Sequence, residues 1–216
     1  ENMVLCVSGN FKKDMVSRYV NEIFGNLQGK FFGQKPPLKT TQTEPRYLFK
    51  KSPSQTIGFK LCHKAYPYKH EKVIIMLLLA DVLGGGISSR LSLTVREKLG
   101  LVYDITCYPT MFSDVGSIDI YTSTKKENFE KTTKAVIDEV HKFFHEGITE
   151  QELNRTEERV FSQTQLAMDS PLAMANWFGV EELLVSPKMP DTPEKQAQKI
   201  HNIKLAEVHN AISEIF

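Results

Sequence analysis

The sequence predicts an α+β fold in which a mainly antiparallel sheet packs against helices in a two-layer sandwich. A strand pattern occupies Thr56–Cys62 (TIGFKLC), and two more occupy about 101–109 and 116–124. The short connection FSDVG joins these last two patterns and is typical of a hairpin. Helical periodicity fills most of the remaining chain. Strands and helices are therefore segregated, which is the arrangement of α+β proteins.

The first part of the chain is predicted to hold a strand, a helix and a linker. Met3–Val7 (MVLCV) is typical of a short buried strand, and Lys12–Phe24 carries apolar residues at helical spacing. Residues 33–46 (GQKPPLKTTQTEPR) are rich in Pro, Thr and Lys and lack an apolar period. We therefore expect a domain boundary within 33–46.

Two helices and a glycine turn follow the strand at Thr56–Cys62. The first helix is predicted from about Lys69 to Leu83 and is stopped by Gly84, Gly85 and Gly86. The second runs from about Ser88 to Leu99, with Ser88 or Ser89 as its N-cap. Gly100 is expected to end it in the left-handed conformation.

The last third of the chain is predicted to be helical. The first of its helices spans about Asn128–His145, and a capping box formed by Thr149 and Glu152 opens the next. Pro171 is expected at the first position of a further helix. Pro187, Pro190 and Pro193 mark a loop, and two short helices end the chain.

Composition excludes several classes of function. The 216 residues carry a net charge of +1, which gives no electrostatic reason to expect nucleic acid as a partner. The longest apolar run, Val73–Ala80, is far shorter than a membrane span. Cys6, Cys62 and Cys107 form no metal or disulfide pattern, so free thiols in a reducing intracellular compartment are favoured. The chain lacks an initiator methionine and a signal segment, and we expect it to derive from a longer protein.

No complete catalytic or metal centre is recognisable in the sequence. The three glycines lack the Gly-Lys-Ser/Thr ending of a phosphate loop. His141 and His145 have the spacing of a metal pair, but they fall on the predicted solvent side of their helix. Neither His-x-x-Glu-His nor Gly-x-Ser-x-Gly occurs. We therefore expect no metal site in this chain.

Arg96 and Tyr103 are the residues that the sequence brings together for chemistry. Arg96 falls in the last turn of the helix before Gly100, and Tyr103 falls just after the turn. The two side chains can converge near one end of the sheet. A guanidinium and a phenol both donate hydrogen bonds, and together they can bind a carbonyl or an oxyanion formed on it. A surface arginine beside a core tyrosine is the alternative.

The segment that contains this pair resembles the signature of the second-half domain of pitrilysin-type zinc metallopeptidases, which include mitochondrial processing peptidase. The matching pattern is Gly84-Gly85-Gly86, then Ser89-Arg90-Leu91, then REKLGLVY at 96–103. The segments ENMVLCVSGNF and HEGITEQELNRTEERV resemble further parts of the family. By this resemblance, 1–32 is a strand-helix remnant of a preceding zinc-binding domain, 33–46 is the linker, and 47–216 is the second, non-zinc domain.

The resemblance implies a division of labour between two domains. The first domain supplies zinc and a catalytic glutamate, and the second closes the cleft over a peptide substrate. Arg96 and Tyr103 would then contact the peptide backbone near the scissile bond. Zinc and the glutamate are expected from an upstream domain or a partner subunit, a homodimer being one further arrangement, and this chain alone is expected to be inactive. A non-catalytic subunit or structural scaffold is the alternative function.

The resemblance also implies a vacant position in the sheet, because the family's domain ends with a helix followed by a strand. This sequence ends at Phe216, after a helix. We expect Met3–Val7 to fill that position, either in the same molecule or in a neighbour.

Overall fold

The computed structural model describes residues 3–27, 29, 36, 38, 42–185 and 191–216. Helices and strands follow one another in the order that the sequence patterns predict after residue 12. The strands are β1 (Thr56–Ala65), β2 (Ile105–Met111) and β3 (Gly116–Lys125). The α-helices are α1 (Lys13–Phe24), α2 (Val73–Gly84), α3 (Phe129–Glu146), α4 (Glu150–Met168), α5 (Pro171–Val180), α6 (Pro193–His201) and α7 (Leu205–Ile215). Two π-helices, Ser92–Lys98 and Glu181–Val185, and a 3₁₀ turn, Lys126–Asn128, complete the described elements.

The chain divides into two compact units. One comprises Glu1–Pro37 and Ser162–Lys195, and the other comprises Leu38–Phe161 and Gln196–Phe216. Half of the residues of the predicted linker at 33–46 lie outside the described residues. Pro187 and Pro190 of the predicted loop also lie outside them. The assignment of 1–32 and 47–216 to two ancestral domains stays a prediction.

The sheet lies in the larger unit and is antiparallel, with the strand order β1-β3-β2. β2 and β3 form the predicted hairpin, in which Ile105 pairs with Thr122 and Met111 pairs with Gly116. β1 runs along the other side of β3 over ten residues, from Thr56 opposite Lys125 to Ala65 opposite Gly116. The α+β prediction is confirmed.

Helices cover one face of this sheet. Ile118 and Ile120 of β3 are fully buried against apolar side chains of three helices, because alternate residues of a strand point to the same face. The helical side of the core contains Met76, Leu79 and Leu83 from α2, Val136 and Phe143 from α3, and Val208 and Ile212 from α7. The opposite face of the sheet has no such apolar cover among the described residues, and this difference defines the two layers.

The prediction for Met3–Val7 is wrong within this chain. The segment forms no strand, and Met3, Leu5 and Val7 are exposed. A strand is stable only when its backbone groups pair with a neighbour, and the described sheet contains β1, β2 and β3 alone. Apolar alternation therefore identified a segment with strand character but no partner strand in the same molecule. Pairing with a neighbouring molecule stays a prediction.

The smaller unit contains α1, α5 and the second π-helix. Ser170 caps α5 by accepting a hydrogen bond from the Ala173 backbone N–H at 3.3 Å, and Pro171 occupies the first turn as predicted. The Trp177 indole donates to the Asp191 carbonyl at 2.8 Å. α1 buries none of its side chains fully, although its apolar residues recur at helical spacing.

Candidate functional site

A π-helix carries Arg96. The helical turn begins at Arg90 and widens into the π-helix Ser92–Lys98, in which the Leu99 N–H donates to the Thr94 carbonyl at 3.1 Å. Val95 is fully buried in the core, and the side chain of the next residue, Arg96, lies near the surface. Wide turns of this kind occur frequently at functional sites. Sequence periodicity predicted a helix here but could not distinguish the π form.

Gly100 turns the chain from this helix toward β2. Its φ of +60° lies in the left-handed region, which confirms the predicted cap, and its N–H donates to the Arg96 carbonyl at 3.1 Å. Ser89 departs from the prediction, because its hydroxyl donates to the Gly86 carbonyl at 2.6 Å instead of capping the helix. The glycine therefore sets the direction in which the following residues leave the helix.

Two threonines of β3 hold the segment that follows Gly100. The Thr124 hydroxyl donates to the Leu101 carbonyl at 2.8 Å, and the Thr122 hydroxyl donates to the Asp104 carbonyl at 2.6 Å. Val102 is buried between these two points, whereas Tyr103 is 89% exposed. The backbone on both sides of Tyr103 is thus fixed to the sheet while its ring faces solvent.

The structure brings Arg96 and Tyr103 together. The Arg96 guanidinium carbon lies 6.0 Å from the centroid of the Tyr103 ring, at the outer limit of a cation–π contact. Among the described residues, the guanidinium pairs only with its sequence neighbour Glu97, at 3.5 Å, and 35% of its side chain is exposed. The alternative of a core tyrosine is excluded by its exposure.

This arrangement can bind an acceptor that approaches from solvent. Arg96 offers several N–H donors and Tyr103 offers one hydroxyl, and both project from backbone that hydrogen bonds hold in place. Backbone that is fixed before a ligand arrives lowers the cost of ordering the donors that it carries toward a carbonyl or oxyanion. The groups that the pair itself supplies are hydrogen-bond donors, so the chemistry it offers is the binding of an acceptor.

The glycine turn supports the helix layer through close packing. A side chain on Gly84 would place its Cβ atom 2.4 Å from the backbone nitrogen of Cys107 in β2, and one on Gly85 would meet the Asp81 carboxylate. Gly86 lies near Arg159, which forms an ion pair with Asp81. The turn is therefore part of the contact between α2 and the sheet.

Arg90 is occupied by structural contacts. Its Nε and Nη2 atoms donate to the two carboxylate oxygens of Glu152 at 2.6 and 2.8 Å. Nη2 also donates to the Gly147 carbonyl at 2.7 Å, and the guanidinium lies 5.3 Å from the centre of the Phe143 ring. Arg90 thus joins its own helical turn to α3 and α4, and unlike Arg96 it does not face solvent.

The described residues contain no cluster of three or more His, Cys, Asp or Glu side chains that could hold a metal ion. His141 and His145 are both exposed on α3. In the part of the chain that the structure describes, no helix combines the length and the apolar character that crossing a membrane requires.

One polar cluster was not predicted from the sequence. Asp119 of β3 points away from the helices yet is only 1% exposed, and its Oδ2 atom lies 2.8 Å from the Lys60 ammonium. The Thr110 hydroxyl donates to the same oxygen at 2.6 Å. The register places Asp119 beside Cys62 and Tyr108 on the neighbouring strands. The sequence indicated this cluster only through a single acidic residue, Asp119, in the pattern SIDIY.

Comparison with known protein families places the chain. Residues 1–160 match the family model described as "Peptidase M16 inactive domain". The chain belongs to the peptidase M16 family. This confirms the resemblance to pitrilysin-type enzymes that the Arg96–Tyr103 segment suggested.

An M16 relative and two solved structures match the whole chain or nearly all of it. The chain is 24% identical over its full length to an uncharacterized zinc protease, YmxG, from Bacillus subtilis, of which it covers 52%. The crystal structure of a protease from Helicobacter pylori superimposes with a TM-score of 0.79 at 17% identity, over 97% of this chain and 51% of that one. A chain of complex III2 from Candida albicans gives a TM-score of 0.74 at 16% identity, over 96% of this chain and 50% of that one. The chain thus spans about half the length of each of these three relatives.

Proposed function

We propose that this chain is the substrate-binding, cleft-closing half of a zinc-dependent endopeptidase. Arg96 and Tyr103 contact the peptide backbone near the scissile bond, while zinc and the catalytic glutamate come from an upstream domain or a partner subunit. The observation that carries the proposal is the exposed Arg96–Tyr103 pair, with a separation of 6.0 Å and few competing contacts. The name of the Bacillus subtilis relative, a zinc protease, supports the same chemistry.

The geometry of Arg96 and Tyr103 supports stabilisation of the transition state more than binding of the peptide substrate in its ground state. The segment 101–104 is tied to β3 at both ends, so the backbone that carries Tyr103 starts from a restricted position. Charge develops on a peptide carbonyl oxygen when water attacks it, and fixed donors bind the charged form more strongly than the neutral one. A cation beside the phenol adds to this preference.

A non-catalytic subunit or scaffold is the second candidate. The fold similarity to a chain of complex III2 supports it. A scaffold does not need an exposed arginine and tyrosine held side by side, and for this reason we favour the peptidase half.

Peptide cleavage with zinc present tests the proposal. The chain would be assayed alone and then mixed with the zinc-binding half. We expect cleavage only in the mixture, and its loss with Arg96→Ala but not with the control Arg155→Ala, which removes an exposed arginine of α4. A folded, zinc-loaded mixture without activity would favour the scaffold. Equal activity of the two variants would refute the role of Arg96.

A further inference from the structure

The face of the sheet that the helices leave uncovered has an unusual distribution of charge. We call this the outer sheet face, defined by the residues of β1, β2 and β3 that alternate with the core positions. Its charged residues are Lys60, Lys64, Lys125 and Asp119. All three lysines are exposed, whereas the single carboxylate is buried. The face therefore has an excess of two positive charges and presents no negative charge to solvent.

Asp119 fixes the position of Lys60 at the centre of this face. The ammonium lies 2.8 Å from the Asp119 carboxylate and 5.1 Å from the centre of the Tyr108 ring. Burial alone raises the pKa of Asp119, but hydrogen bonds led by those from Lys60 and Thr110 outweigh this effect and hold the pKa below its usual value. The carboxylate is thus ionised at neutral pH. An ammonium held in this way retains donors for a second acceptor above the sheet.

The surroundings of Lys60 favour a polypeptide ligand. Tyr108 of β2 and Tyr121 of the central strand β3 are both exposed and supply phenol groups on this face. The Tyr108 ring is engaged by Lys60, and the Tyr121 hydroxyl lies against Gly58. Only the Tyr121 ring is then left without a cation, whereas proteins that bind single-stranded nucleic acid stack successive bases on several aromatic side chains. The remaining outward side chains are uncharged, mainly Ser and Thr, which hydrogen-bond peptide groups readily.

We propose that the outer sheet face binds an acidic stretch of polypeptide, with Lys60 as the anchor for one of its carboxylates. Lys60 and Lys64 lie four residues apart on β1, a separation of about 13 Å. An extended peptide with acidic residues at every second position places carboxylates on one side at intervals of about 7 Å. Such a peptide can therefore reach both lysines at once, and charge complementarity distinguishes it from neutral or basic peptides.

An acidic polypeptide bound in this way would be a substrate class for the proposed peptidase half. Only the word substrate rests on the proposed function, because the binding does not. Tyr103 lies two residues before β2, so the candidate site adjoins one end of the outer sheet face. A peptide bound along the face would extend toward Arg96 and Tyr103. The binding itself requires neither zinc nor cleavage, and it is measured separately from activity.

Fluorescence anisotropy with this chain tests the proposal. The probes are a fluorescein-labelled ten-residue peptide of alternating Glu and Ser and a matched peptide with Gln in place of Glu, in low-salt buffer. We expect the Glu peptide to bind at least about tenfold more tightly, with the difference decreasing as salt screens the charges. Equal affinity for the two peptides would overturn the proposal.

A double variant that leaves the net charge unchanged distinguishes anchoring by Lys60 from attraction by the net charge of the chain. Lys60→Met with Asp119→Asn removes both members of the ion pair, so no buried charge is left unpaired and the net charge is unchanged. We expect it to reduce the preference for the Glu peptide to within about threefold. Lys131→Gln, on the exposed side of α3, lowers the net charge by one and is expected to leave binding within about twofold. The reverse result, with the control weakened and the double variant unchanged, would show attraction by net charge alone and overturn the proposal.

Two further measurements keep the test decisive. If circular dichroism shows that the double variant does not fold, Lys125→Gln at the exposed end of β3 replaces it, with an expected loss of at least about threefold for the Glu peptide. A loss no larger than that of Lys131→Gln would overturn the proposal. A single-stranded uridine oligonucleotide is measured in parallel. Tighter binding of this oligonucleotide, lost in the same variants, would assign the face to nucleic acid and overturn the peptide proposal. Binding of the Glu peptide by this chain, with no cleavage by the folded, zinc-loaded mixture, would reject the proposed function alone. Cleavage by the mixture, with no preference of this chain for the Glu peptide, would reject this inference alone.

Discussion

The ion pair between Arg90 and Glu152 makes the stability of this chain depend on pH in a way that one substitution can reveal. Glu152 accepts two hydrogen bonds from Arg90 and one each from the Thr149 backbone N–H and hydroxyl. Glu152→Gln keeps the size of the side chain but removes its charge. We expect this variant to be less stable than the wild type at pH 7.

The magnitude follows from the pKa of Glu152. Burial alone would raise the pKa, but hydrogen bonds from Arg90 and Thr149 lower it from 4.5 to about 2. A difference of this size corresponds to about 3 kcal/mol, and we take about 2 kcal/mol because 16% of the side chain remains exposed and solvent screens the pair. A lowered pKa contributes stability that is complete above 4.5 and is lost as the pH falls toward 2. More than half of the contribution should be gone at pH 3.

Urea unfolding of the wild type and Glu152→Gln at pH 7, 5 and 3 measures this contribution. The difference in free energy of unfolding between the two proteins should be about 2 kcal/mol at pH 7 and should fall by more than half at pH 3. Glu158→Gln, at an exposed position of the same helix, controls for the general effect of removing a carboxylate. A difference that stays constant with pH would refute the assignment of the lowered pKa to this pair.

Three further predictions concern the site, the glycine turn and the thiols. Tyr103→Phe in the complete protein should lower turnover by about 10- to 1000-fold, the scale for losing one oxyanion donor, and an unchanged kcat would remove this residue from the mechanism. Gly84→Ala should destabilise the chain by about 2–3 kcal/mol in thermal unfolding, because the added Cβ atom would lie 2.4 Å from the Cys107 nitrogen. Cys62 lies at an exposed position, but partial desolvation of its thiol and a hydrogen bond to Asp119 raise the pKa of that thiol to about 11. Alkylation at pH 7 should therefore be slow and should accelerate with Asp119→Asn, and rapid labelling of the wild type would contradict this.

Local patterns in the sequence predicted the elements that local forces determine. The helix at Lys13–Phe24 follows from apolar spacing, and the left-handed turn at Gly100 follows from a glycine after a helix with basic residues in its last turn. The juxtaposition of Arg96 and Tyr103 was also predictable, because only a single turn separates the two residues. Short-range geometry was sufficient in each case.

Features that depend on distant residues were not predictable in the same way. Met3–Val7 has the alternation of a strand, but strand formation depends on a partner that no local pattern reveals. The pairing of Arg90 with Glu152 joins residues 62 positions apart. The burial of Asp119 depends on side chains from all three strands. Sequence reasoning identified candidate residues for the site, whereas the shape and charge of the surface beside it required the structure.

The wide helical turn that carries Arg96 has a consequence for which changes in chain length this segment can accept. Removal of one residue from Ser92–Lys98 would turn the rest of the helix by roughly a quarter of a turn relative to the residues before it. Arg96 would then leave the side of the helix that faces Tyr103, even though every other residue type was retained. Insertions and deletions should therefore be rejected between Ser92 and Tyr103, so that the number of residues in this segment matters as much as their identity.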